Sequence, residues 1–116
     1  MPYIKNDRRN KIDDKINSLI LSIKTNISGC DNPYDLQKLT NEQFLDIAGD
    51  INYSVSRIVT RLMGDPSYAK IAIITGVLEN IKQEFYRRVG TTLEDKKIIE
   101  NGDIKEYECM TWYYVF

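Results

Sequence analysis

Residues 71–85 read IAIITGVLENIKQEF, and the spacing of their apolar side chains sets the fold class. Ile71, Ile74, Leu78, Ile81 and Phe85 recur at intervals of three and four, the seam by which one helix packs on another. Ala72, Ile73 and Val77 extend the apolar surface beyond that seam, and a helix apolar over most of its circumference is buried on two sides. In a chain of 116 residues the second side is expected to come from another copy, with the same face used twice about a two-fold axis. Gly76 costs about 1 kcal/mol relative to alanine inside a helix, and close approach of a neighbouring helix is the expected compensation.

Upstream, Asp65 and Pro66 look like N-cap and first helical residue, since proline has no N–H to miss there. Downstream, the stretch E-F-Y-R-R-V-G (84–90) places Gly90 where a helix would end. A helix before this one is marked by Phe44, Ile47, Ile51, Val55, Ile58 and Leu62, opened by a Thr40–Gln43 capping box and stopped at Gly64. A first helix follows from Ile12, Ile16, Leu19, Ile20 and Ile23, over roughly Asn10 to Thr25. The intervening NISGCDNPYD is a loop. A weaker capping box, Thr92 with Asp95, opens a short fourth helix that stops at Asn101-Gly102. The chain thus reads as all-α: a small helical bundle of three main helices and a short fourth, one domain over 1–116, dimerising through the long third helix. An aromatic-rich tail, 104–116, is expected to be extended or irregular, with Tyr107, Trp112, Tyr113, Tyr114 and Phe116 docked on the subunit or its partner.

Composition narrows the chemistry. Sixteen basic against seventeen acidic side chains give a net charge of −1, which disfavours a general nucleic-acid binder. With no histidine, the commonest general base and metal-binding nitrogen are missing. Cys30 and Cys109 lack zinc spacing and are expected as reduced thiols. The charged opening MPYIKNDRRNK is no signal peptide, and IAIITGVL is too short to span a bilayer. A soluble, intracellular, non-catalytic protein without metal or cofactor is expected.

The polar candidates each have a plain reading and a sharper one. Glu84 and Arg88 have the favourable order of a helical ion pair, yet Arg88 also continues the apolar seam, where a guanidinium suits bidentate phosphate contact. Phe85 and Tyr86 are core side chains, or stacking faces beside arginines. Asn52, Tyr53, Arg57 and Arg61 sit on helix two, with the last three a turn apart on one face. That face is either solvated, with arginine stems over apolar surface, or one wall of a site. Asn101 and Asp103 are turn and cap residues, or partners for ribose hydroxyls. Walker and Rossmann glycines are missing.

Several motifs together resemble one family. They are the opening M-P-Y-I, I-N-Y-S-V-S-R over 51–57, Ser67-Tyr68, G-V-L-E over 76–79, E-F-Y-R-R over 84–88, Glu94-Asp95 with Lys97-Ile98, and N-G-D over 101–103. They are similar to small phage and prophage proteins identified with Thoeris anti-defence sponges, which bind cyclic ADP-ribose isomers made by bacterial Toll/interleukin-1-receptor-domain enzymes. The resemblance implies a helical dimer, possible in larger assemblies, in the cytoplasm of a bacterial host. It implies symmetric pockets near the subunit interface, where a cyclic ADP-ribose-type nucleotide is held without cleavage. Some members are also similar to sponges that take cyclic oligonucleotides at a second site. The implied roles fall on Phe85 or Tyr86 for stacking, Arg57 and Arg88 for phosphates, and Asn52, Asn101 and Asp103 for ribose. Two departures stand out: Gly90-Thr-Thr-Leu93 replaces a Pro-Tyr before the acidic pair, and the tail beyond Asp103 has no counterpart. The rival expectation is a phage structural protein whose seam and tail dock a protein partner.

Overall fold

The computed structural model describes residues 2–28 and 39–114, with side chains as far as residue 110. All the regular structure among the described residues is helical, which makes the protein all-α: α1 (Asn6–Lys24), α2 (Asn41–Met63), α3 (Tyr68–Phe85), a π-helical turn (Tyr86–Gly90), α4 (Thr91–Asn101) and α5 (Lys105–Tyr114). The chain divides into two compact units, Met1–Ile74 and Thr75–Phe116, so that α3 begins in one and ends in the other. Most of the loop expected after α1, with Cys30, and the tail aromatics Trp112, Tyr113, Tyr114 and Phe116 lie outside the described side chains.

In the first unit α1 starts four residues ahead of the expected Asn10. Extended Lys5 (φ −66°, ψ 152°) opens it, and the Lys5 carbonyl accepts the N–H groups of Arg8 and Arg9 at 3.1 Å each. The polar N-terminal turns carry no apolar stripe, so periodicity could not mark this end. α2 begins as its capping box requires: Gln43 N–H donates to Thr40 Oγ1 at 3.1 Å, and Thr40 N–H donates to Gln43 Oε1 at 2.9 Å. It ends at Gly64, whose φ of 65° favours glycine.

The start of α3 differs from the expectation at Asp65-Pro66. Helix begins at Tyr68, and Ser67 Oγ accepts the Lys70 N–H at 3.1 Å, so serine is the cap. Asp65 instead offers its carbonyl to the Lys70 ammonium at 3.0 Å.

α1 packs against α2 near their connection, where Ile27 and Ile47 are buried. There Asn26 Nδ2 donates to Asp50 Oδ2 at 3.3 Å, and Gln43 Nε2 donates to the Ser28 carbonyl at 3.5 Å. Outside this point the apolar stripes stand open. Ile12, Ile16, Leu19 and Ile20 of α1, and Phe44, Ile51, Val55, Ile58 and Leu62 of α2, are all exposed. On α3 the same holds for Ile71, Leu78 and Ile81, while Ile74 is half-buried.

The second unit corrects three expectations. Gly90 does not end a helix: at φ −64° and ψ −50° it is right-handed, whereas a C′ glycine takes positive φ. Thr92 does not open a new one, because its Oγ1 donates backward to the Arg88 carbonyl at 3.0 Å as an interior helical threonine does. The backbone passes from α3 to α4 through one π turn, closed by the Thr91 N–H on the Tyr86 carbonyl. The helix ends at Asn101, where Gly102 has a φ of 84°. The tail, expected to be extended or irregular, is helical over Lys105–Tyr114. Asp103 Oδ1 accepts the Ile104 N–H at 2.8 Å, and Glu106 and Glu108 lie in the first turn, where the helix dipole favours carboxylates.

Candidate functional site

Within the first unit, three side chains at successive turns of α2 define one face. Tyr53, Arg57 and Arg61 lie at intervals of four, and the Arg57 guanidinium carbon stands 5.7 Å from the centre of the Tyr53 ring. Among the described residues neither arginine has a carboxylate within ion-pair distance. Like charges four apart on a helix cost a few tenths of a kcal/mol, and an anion set between them removes that cost. These residues, with Ser56, Thr60 and Gly64, line an open hollow of about 660 Å³. A second hollow of about 340 Å³ adjoins it, walled by Leu19 of α1 and by Tyr53, Ser54, Arg57, Ile58 and Arg61. The two together offer an aromatic face, two guanidiniums, the hydroxyls of Ser54, Ser56 and Thr60 and an apolar edge, the mixture that a phosphorylated ring compound needs. Asn52 lies beside this face, and its Oδ1 accepts the Ser56 hydroxyl at 3.3 Å.

Within the second unit the EFYRRVG stretch is largely satisfied by itself. Arg87 donates to both Glu84 oxygens, Nη2 to Oε1 at 2.6 Å and Nε to Oε2 at 3.3 Å. Arg88 Nε donates to the same Oε1 at 3.0 Å. One carboxylate therefore holds two guanidiniums, leaving a net positive charge on an exposed turn. Tyr86 lays its ring on Gly90 and donates its hydroxyl to Glu94 Oε1 at 2.5 Å. That hydrogen bond, then the negative charge of Glu94, hold the Tyr86 hydroxyl above its ordinary value of 10.0. Phe85 and Tyr86, with Glu79, Lys82, Gln83, Arg87 and Thr91, line a hollow of about 390 Å³ that is mostly apolar. Asn101 is exposed at the end of α4, and Asp103 is half-buried with one oxygen on the start of α5.

The residues singled out by sequence thus fall in two units: Asn52 and Arg57 in the first, Phe85, Tyr86, Arg88, Asn101 and Asp103 in the second. Arg57 comes together with Tyr53 and Arg61, which the sequence placed on one face but did not join to the site. Ser56 and Thr60 complete that wall, and their helical offset from Tyr53 was the readable sign. Among the described residues no group of three or more acidic or cysteine side chains could hold a metal ion, and no helix is long and apolar enough to cross a membrane.

The chain belongs to the family described as a domain of unknown function, DUF6899, which matches residues 1–104. The match stops one residue before α5 begins. No curated protein and no solved structure matches the chain.

Proposed function

We propose that the protein is a non-catalytic binding protein that captures an anionic, ring-bearing small molecule. The class that the sequence resemblance names, a cyclic ADP-ribose-type signal, is the preferred ligand, and capture withdraws that signal from a bacterial Thoeris effector. The observation that carries the reading is the Tyr53–Arg57–Arg61 face, with two guanidiniums a turn apart, an aromatic ring against one of them, and a hollow of ligand size. Arg57 and Arg61 take the phosphates and Tyr53 the base. Phe85 and Tyr86 offer a second aromatic surface in the other unit. Two copies associate through α3, whose seam is exposed in the single chain and whose Gly76 has open space where a Cβ would be.

The test is thermal unfolding of the purified protein with cyclic ADP-ribose isomers and cyclic oligonucleotides, with mass spectrometry of the recovered ligand. Binding stabilises by RT ln(1 + [L]/Kd), about 2.7 kcal/mol at a hundredfold excess over Kd. Intact ligand recovered from the wild type, and no stabilisation in Arg57→Ala, are the expected results. A degradation product at turnover, or no response to any of these nucleotides, overturns the reading. The second outcome favours the rival, a docking protein of a phage, for which the pairing of both Arg87 and Arg88 with Glu84 and the exposed apolar stripes already speak.

A further inference from the structure

α2 is the most amphipathic helix of the chain, and its apolar face stands open. Phe44, Ile51, Val55, Ile58 and Leu62 are 38% to 82% exposed, and Ala48 on the same face is exposed as well. The junction with α1 buries one side chain of α2, Ile47. A helix draws most of its stability in water from packing its apolar face on a neighbour. A 23-residue helix with one buried side chain therefore needs a cover that the described residues do not supply.

The order of these residues matches itself when read backward. From Phe44 through Ala48, Ile51, Val55 and Ile58 to Leu62 the intervals run four, three, four, three, four. Two copies of α2 laid antiparallel, with residue 53 at their common centre, bring Phe44 of one level with Leu62 of the other. Ala48 then falls level with Ile58, and Ile51 with Val55, each pair repeated by symmetry, so that apolar side chains meet at every level of the seam. The charges favour the same orientation. α2 carries Glu42, Asp46 and Asp50 in its first half and Arg57 and Arg61 in its second, with no basic residue in the first and no acidic one in the second. The helix dipole accounts for a carboxylate in the first turn and a guanidinium in the last, but Asp46, Asp50 and Arg57 lie further in. Antiparallel copies set the acidic half of each alongside the basic half of the other, whereas parallel copies set like charges together.

We propose that the apolar face of α2 is an interface for a second copy of this chain, the two helices running antiparallel about a two-fold axis at the level of residue 53. The surface is separate from the seam of α3. It does not rest on ligand capture by Tyr53, Arg57 and Arg61, which are turned away from this seam around the helix. Leu19 of α1 lines the same hollow as Ile58, so α1 borders the seam on one side.

The experiment places one nitroxide label per full chain, at Asn41→Cys or at Asn52→Cys in a Cys30→Ser, Cys109→Ser background, and measures distances between copies by pulsed electron resonance. Helix axes about 8–10 Å apart and a rise of about 1.5 Å per residue set the labels at residue 52 almost level, and those at residue 41 about 36 Å apart along the axis. A short distance at residue 52 together with a long one at residue 41 is the expected result. Ile51→Glu should remove the short distance while circular dichroism keeps its helical signal, and Leu78→Glu on α3 should leave that distance in place. Should Ile51→Glu unfold the helix, the two distances across the unaltered seam still decide. No distance between copies at residue 52, as when another part of the same chain covers α2, overturns the proposal. So do similar distances at the two positions, which mean parallel helices, and so does a short distance that survives Ile51→Glu in a folded chain.

Discussion

Gly90→Ala isolates the device at the centre of the second unit. A glycine inside a helix costs about 1 kcal/mol relative to alanine, so the exchange ordinarily stabilises. Gly49 is the reference case, since a Cβ added there meets nothing within 4 Å. Gly49→Ala should gain about 0.5–1 kcal/mol, or roughly 4 °C in Tm for a chain of this length. At Gly90 the same Cβ would stand 2.8 Å from Tyr86 Cδ2, 2.9 Å from Cε2 and 3.2 Å from Cγ. Contact with Cγ means that the base of the ring is obstructed, and a terminal torsion cannot relieve it. The ring must swing about its first side-chain torsion, which takes the hydroxyl away from Glu94. Gly90→Ala should therefore lose the whole of the expected gain, leaving it about 1 kcal/mol or more below Gly49→Ala. The assay is urea unfolding followed by circular dichroism at one fixed protein concentration. A double-mutant cycle then assigns the cause. On a Tyr86→Ala background, Gly90→Ala should recover its gain of about 1 kcal/mol, because no ring remains to obstruct it. If Gly90→Ala alone stabilises as much as Gly49→Ala, or behaves alike with and without the ring, the Tyr86–Gly90 contact does not shape the turn.

Three further outcomes are expected. Thr40→Ala removes one half of the capping box of α2 and should cost about 1 kcal/mol by chemical unfolding, with Thr40→Gly closer to wild type. Tyr86 should ionise above the ordinary tyrosine value, and Glu94→Gln should bring it back toward 10.0, as read by NMR of a ring-labelled sample. The sign follows from the direction: the protonated hydroxyl donates to Glu94, so this contribution to stability is complete below the ordinary tyrosine value and fades as pH rises through the higher value in the folded chain. Phe85 is 66% exposed, so Phe85→Ala should cost one isolated chain far less than the 3–5 kcal/mol typical of a buried phenylalanine. Its main effect should be weaker self-association by analytical ultracentrifugation, and an unchanged dimer would count against α3 as the interface.

What could be read from the sequence was local, and what could not depended on groups brought together by the helix itself or by its neighbours. Thr40, Gln43 and Gly64 carry their roles in their chemistry and spacing, and α2 is bounded as they dictate. Gly90 shows the limit of that reasoning. As a residue type it signals a helix end, but its role is to leave room for the Tyr86 ring, and nothing in the order of letters says that a ring four residues back will lie on it. Once the ring is placed, Glu94 anchors its hydroxyl, the turn widens to the π form, and a predicted break becomes continuous helix. The candidate site divides along the same line. Tyr53, Arg57 and Arg61 were visible as one face because a helix alone aligns residues four apart. Whether an arginine is engaged is different information, since Glu84 sits three and four residues before Arg87 and Arg88 and takes both. The sequence offered Arg88 and Arg57 as equals. The structure separates them, with one guanidinium on a carboxylate and the other on an aromatic ring with no carboxylate partner among the described residues, and an incoming anion meets less competition at the second.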